Sequence, residues 1–124
     1  MKEETERWLK QSKRDLISAK NSLNSKDYYV SVFMSQQSVE KALKAFLIEK
    51  HKQLIKIHDV IILGRKANLP EILQKKCKLF SGTYIESRYG DISEELPYEK
   101  FTLQISQELI TIANEVLLWV EKNI

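Results

Sequence analysis

Residues 27–50 read DYYVSVFMSQQSVEKALKAFLIEK, and the spacing of the apolar residues in this stretch decides the fold class. Tyr28, Val32, Ser35, Val39, Ala42 and Phe46 recur every three or four residues, and so do Tyr29, Phe33, Gln36, Glu40, Leu43 and Leu47. Two adjoining rows at helical period make a wide apolar face. The stretch therefore predicts a central helix from Tyr28 to about Lys50, with Asp27 at the N-cap position. Gln36 and Glu40 fall inside the apolar face. A carboxylate at such a place is costly unless it is paired or hydrogen-bonded, so Glu40 either has a partner or opens onto a cleft.

The flanking sequence has the same period. Trp8, Ser12, Leu16, Ala19 and Leu23 share one face of a first helix from about Glu3 to Leu23. Glu3, Glu4 and Glu6 in its first turn suit the helix dipole. Residues 52–56 read as a connection. The run Ile57-His58-Asp59-Val60-Ile61-Ile62-Leu63 has the β-branched content of a strand. No second strand-like segment is available to pair with it, so a short helix from near His58 to Asn68 is expected. Pro70 opens a fourth helix carrying Leu69, Leu73, Cys77, Phe80 and Tyr84 and ending near Glu86. Residues 87–97 read as an ordered loop. A last helix from about Tyr98 to Lys122 has a stripe of Phe101, Ile105, Leu109, Ile112, Val116 and Trp119. The expected fold is all-α: an antiparallel up-down bundle of four to five helices, three long and two short, in one domain spanning residues 1–124.

Composition agrees with this reading. The 124 residues contain 3 Gly and 2 Pro, too few for a turn-rich β architecture. A single Cys excludes an internal disulfide, and with two His a structural metal site is not expected. The charged start is no signal peptide, and no apolar run approaches the ~20 residues of a membrane-spanning helix. A cytoplasmic, soluble protein without a cofactor is expected. The net charge of +3 is unevenly spread: residues 41–78 carry +7 and residues 79–124 carry −5. That asymmetry fits an anion-binding face or association between copies, and equally a solvated lysine-rich surface.

Gly-rich phosphate loops, nucleophile elbows and metalloprotease motifs are absent from the sequence. Cys77 lies on an apolar stripe and reads as a core residue, and His51 reads as exposed at a helix end. His58 is either an imidazole in a ligand cleft or a side chain bonding locally where the chain turns. Gln37, Lys41 and Lys44 share a helix face that either meets a phosphate or is simply solvated. In Ser87-Arg88-Tyr89-Gly90-Asp91, Arg88 has the reach and fork to bind a phosphate or carboxylate, and Tyr89 the ring to stack on a base. The same Arg88 equally suits an ion pair with Glu40 or Asp91 that pins the loop to the bundle.

The stretch Met34-Ser35-Gln36-Gln37-Ser38-Val39-Glu40-Lys41-Ala42-Leu43-Lys44-Ala45-Phe46-Leu47 resembles the A-Q-Q-A-V-E-K-A-L-K-A-L-L helix of prokaryotic HEPN domains. Trp8-Leu9 with Arg14-Asp15-Leu16 and Ala19, Ile57-His58-Asp59-Val60, and Ser87-Arg88-Tyr89-Gly90-Asp91 resemble the family's other motifs in order. The resemblance covers nearly the whole chain. It implies a helical bundle, commonly dimeric, often encoded beside a minimal nucleotidyltransferase in a toxin–antitoxin-like pair. Catalytic relatives carry R-x4-6-H for RNA cleavage. Here the positions that would hold His after Arg88 are Ser93, Glu94 and Glu95, and Gly90 replaces a usual Pro. No catalytic residue is therefore assigned. The expectation is a non-catalytic binding module with a nucleotide or RNA surface formed by Gln37, Glu40, Lys41, Lys44, His58, Arg88, Tyr89 and Asp91. The alternatives are a ribonuclease toxin with a divergent site and a ligand-free helical adaptor. Arg88 is expected to approach Gln36, Gln37 and Glu40, with His58 and Tyr89 around the same cleft.

Overall fold

The structure is a computed structural model, and it describes residues 1–81 and 96–124. Among these residues every regular element is helical. Helix α1 spans Glu3–Asn24, α2 Tyr28–His51, α3 Val60–Lys66 and α4 Glu71–Cys77, which continues into a 3-10 turn at Lys78–Phe80. A one-turn helix α5, Pro97–Lys100, precedes α6, Leu103–Asn123.

Helix α2 is central, as its two apolar rows require: it packs on α1, α3, α5 and α6. Every residue from Ala42 to Ile48 is buried. The antiparallel α1–α2 pair is close because small residues line it. Ser12 Oγ donates to the Ser38 carbonyl at 2.6 Å, Ser38 Oγ donates back to the Ser12 carbonyl at 2.9 Å, and Ser31 Oγ donates to the Ala19 carbonyl at 2.8 Å. At one end of the pair the Lys2 backbone N–H donates to Glu49 at 2.9 Å, and this bond holds the Glu49 carboxyl below its ordinary range. Helix α6 runs against α1, with Lys13 bridging Glu121 at 2.9 Å. Trp119 of α6 packs on Phe46 of α2 with ring centroids 5.0 Å apart.

Helix α2 starts at Tyr28 with Asp27 at its N-cap position, as expected, although the Asp27 side chain makes no cap bond. Three helix boundaries differ from the sequence expectation. Helix α3 starts at Val60 because Asp59 caps it, accepting from the Ile61 N–H at 2.9 Å and the Ile62 N–H at 3.4 Å. Helix α4 ends at Cys77. Phe80 continues the buried stripe from a 3-10 turn, and Ser81 has left helical geometry at ψ 121°. The rest of the expected fourth helix, 82–86, lies outside the described residues. The last helix is broken: Phe101 and Thr102 are extended, and Thr102 Oγ1 accepts from the Ile105 N–H at 3.3 Å, starting α6 afresh.

The first helix buries Thr5, Leu9, Ser12, Asp15, Leu16 and Ala19, while Trp8 and Leu23 are only partly buried at the edge of the core. Phe46 and Val120 lie in this protomer's own core. Cys77 is wholly buried, as its stripe position implied, and His51 is exposed.

A buried carboxylate cluster as candidate functional site

The middle of α2 carries polar side chains into the packed interior. The Glu40 side chain is only 5% exposed. Its Oε2 accepts from Lys44 Nζ at 2.9 Å and lies 3.0 Å from His58 Nδ1, and its Oε1 accepts from Gln36 Nε2 at 3.3 Å. The need for a partner, read from the sequence, is met from within α2 and from the segment leading into α3. The Lys44 ammonium fills the role of nearby cation that the sequence suggested for Arg88. Glu40 and Lys44 are four residues apart, so one helix turn brings them together.

The surrounding bonds fix this geometry. Gln36 Nε2 also donates to the His58 carbonyl at 3.1 Å, and Gln37 Nε2 donates to Gln36 Oε1 at 2.9 Å. The backbone at His58 is held by Gln36 on one side and by the Asp59 cap on the other, and Glu40 holds the ring. The His58 side chain is nevertheless 59% exposed. The result is an imidazole with one nitrogen on a buried carboxylate and the ring largely in solvent.

The expected shared face of Gln37, Lys41 and Lys44 does not form as a solvated surface. Lys44 is 5% exposed, and its ammonium also lies 5.6 Å from the Trp8 ring centroid. Its aliphatic stem and its charge are both used inside the fold. Lys41 turns toward α1 and contacts Asp15 Oδ2 at 2.5 Å, and Gln11 Nε2 donates to Asp15 Oδ1 at 2.8 Å. Asp15 is 2% exposed and was not recognised from sequence as a partner; its place beside the first helix's apolar face was the available signal. Trp8, Gln11, Arg7 and Lys41 also border an open cleft of about 480 Å³ between α1 and α2.

The structure thus brings together Gln37, Glu40, Lys44 and His58, and places Lys41 in a neighbouring ion pair. Arg88, Tyr89 and Asp91, with the expected approach of Arg88 to α2, lie outside the described residues. Gln36 proves to be the hub of the cluster, although it was not among the binding residues expected from the sequence. Among the described residues no group of three or more His, Cys, Asp or Glu is placed to hold a metal. None of the described helices is long and apolar enough to cross a membrane.

Comparison with known proteins gives a consistent family. The family model of the HEPN domain matches residues 5–123. The crystal structure of TT1696 from Thermus thermophilus superposes with a TM-score of 0.90 at 28% identity, covering 99% of this chain and 100% of that one. The crystal structure of ST0689, an archaeal HEPN homologue, superposes with a TM-score of 0.84 at 32% identity, covering 99% of this chain and 98% of that one. No curated protein matches the chain.

Proposed function

This chain belongs to the HEPN domain family, and from that premise we propose that it is a binding module which takes a nucleotide or RNA at the α2–α3 face. The observation that carries the reading is the exposed His58 ring held on buried Glu40. Burying an ion pair and the Gln36 amide on the central helix gives up apolar packing, and such a cluster is often neutral or unfavourable for stability. A ligand-facing imidazole fixed by that cluster gives the arrangement a use. The charge of residues 41–78, +7, supports an anionic ligand.

The same reading makes the protein the non-catalytic member of a toxin–antitoxin-like pair, a two-fold dimer that serves a minimal nucleotidyltransferase. The sequence supports the non-catalytic part: no His follows Arg7, Arg14, Arg65 or Arg88 at the R-x4-6-H spacing. A neutral-pH acid–base group is what metal-free RNA cleavage requires at that position. The test is direct binding. Isothermal titration with ATP and with a short oligoadenylate is expected to give saturable binding to at least one, weakened in His58→Ala. Absence of heat and of any rise in melting temperature with either probe rejects the ligand-binding reading. Co-purification with a nucleotidyltransferase encoded beside this chain tests the partner.

A further inference from the structure

We infer that the outward face of α1 carries single-stranded nucleic acid, with phosphates along Arg7, Lys10 and Arg14 and one base in the cleft beside Trp8. This surface is separate from the α2–α3 face proposed above, and it stands whether or not that face binds a ligand.

Helix α1 buries Leu9, Ser12, Leu16 and Ala19 on one side. Arg7, Lys10 and Arg14 recur at spacings of three and four, which places them on the opposite side. All three are exposed, as is Lys20. Lys13, at the edge of this row, pairs with Glu121 at 2.9 Å. The ion pairs among the described residues involve none of Arg7, Lys10, Arg14 and Lys20. From Arg7 to Lys26 the sequence holds one acid, Asp15, which is 2% exposed and taken by Lys41 and Gln11. Positive charge therefore runs without an exposed acid for about 20 Å from Arg7 to Lys20, at ~1.5 Å per residue. The helix beneath it is packed into the core, so the spacing is fixed before any ligand arrives. Guanidinium forks on such a row suit the oxygens of a phosphodiester backbone.

The cleft at the start of the row decides between a nucleic acid and another polyanion. It is about 480 Å³ and is bordered by Glu3, Glu4, Arg7, Trp8, Gln11 and Lys41. That volume suits a small ligand group. Cations that track a backbone beside an aromatic ring that takes a base are the two parts of a single-strand site. The Trp8 ring is steadied from within the fold by Lys44, itself 5% exposed, whose ammonium lies 5.6 Å from the ring centroid. The Glu3 and Glu4 carboxylates repel phosphate, but they accept hydrogen bonds from the exocyclic amino group of a base. The base therefore enters the cleft while the backbone stays along Arg7, Lys10 and Arg14. An acidic protein segment offers carboxylates to the same cations, has nothing to stack on the ring, and is repelled by Glu3 and Glu4.

The experiment is fluorescence anisotropy of a labelled oligoadenylate of about twelve nucleotides, titrated with the full chain over a range of salt. Contact of about three cations with a single strand gives a slope of log K against log salt near −2. Arg7→Gln with Arg14→Gln is expected to weaken binding roughly tenfold at low salt and to make the slope shallower by about 1.4. Lys10→Gln alone should make it shallower by about 0.7. Lys75→Gln with Lys78→Gln removes the same charge from exposed positions on and beyond α4, and should change neither quantity. An abasic strand of the same length should bind roughly tenfold more weakly, because the stacked base is lost. Unchanged melting temperatures confirm that the variants are folded. No binding of the oligoadenylate, equal affinity for the abasic strand, tighter binding of a polyglutamate peptide, or equal weakening in the Lys75 and Lys78 variant each overturns the inference. Binding weakened in His58→Ala but unchanged in the Arg7 and Arg14 variant overturns it too, and leaves the α2–α3 reading standing. The opposite pattern supports the α1 site and takes the strand away from the α2–α3 face.

Discussion

Replacing Lys44 by Met separates a buried ion pair from a merely local contact. Met keeps most of the apolar stem and deletes the ammonium that lies 2.9 Å from Glu40 and 5.6 Å from the Trp8 ring centroid. Glu40 and Lys44 side chains are 5% and 6% exposed, so water cannot take over the lost contact without opening the α1–α2 packing. Removing one partner of a pair at this depth typically costs about 3–5 kcal/mol. Here Gln36 and His58 still reach the carboxylate, which puts the expected loss near the lower end, about 3 kcal/mol. For a domain of this length that corresponds to a fall in Tm of roughly 10 °C. Urea unfolding followed by circular dichroism measures it, with an unchanged m-value certifying that the denatured state is the same. The double variant Glu40→Met with Lys44→Met removes both charges and is expected to recover most of the loss. Lys75→Met is the comparison, because Lys75 and Glu71 are 70% and 88% exposed, and its change should stay within about 0.5 kcal/mol. A Lys44→Met loss below about 1 kcal/mol, or a double variant as unstable as the single one, refutes the reasoning that burial makes this pair interdependent.

Other outcomes follow from single observations. Thr102→Ala removes the side-chain cap of α6 and should cost about 1 kcal/mol in the same unfolding assay, whereas Thr102→Ser should be nearly neutral. Burial, and secondarily the Glu115 charge, pushes the Cys77 thiol up to about 11 from 9.0. The folded state therefore holds its proton longer than the unfolded chain: this contribution is fully present below about pH 9 and is lost as pH rises toward 11, so Cys77→Ala should flatten the alkaline limb of the stability profile. RNA incubated with the pure protein and EDTA should remain intact on a denaturing gel; a product ladder that vanishes in Arg88→Ala contradicts the non-catalytic reading. Light scattering at micromolar concentration should give twice the 14.6 kDa chain mass. Ile72 and Leu118, 71% and 56% exposed beside one groove, are the first candidates for the contact, and an unchanged dimer mass in Ile72→Glu removes that face.

Much of the fold could be read in the sequence because it depends on period alone. Two rows of apolar residues along α2 required neighbours on more than one side, and α2 packs against α1, α3, α5 and α6. Leu109, Ile112 and Val116 are buried where the spacing put them, with Trp119 partly buried beside them, and the lone β-branched segment became a helix for want of a pairing strand. The need for a partner at Glu40 was likewise a statement about burial, which periodicity reports. Helix ends were less legible. Phe101 and Phe80 continue their stripes while sitting outside the α-helices, so the pattern runs on where the backbone does not. The Thr102 cap was visible only as one Thr between Phe101 and Leu103.

Partner identity belonged to the tertiary structure. Lys44 was four residues from Glu40 throughout, yet its apparent face pointed to solvent; only the packing of α1, with Trp8 laid under the ammonium, buried it. His58 reaches Glu40 from 18 residues away, and Lys41 reaches Asp15 across 26. The sequence determined that polar groups would be carried into the interior of the central helix, because the hydrophobic period runs through them. Which side chains neutralise them, and that one of these is an imidazole left 59% exposed, was decided by how α1 and the lead into α3 close over α2, since a charge pairs with whatever cation or donor the fold brings within bonding distance.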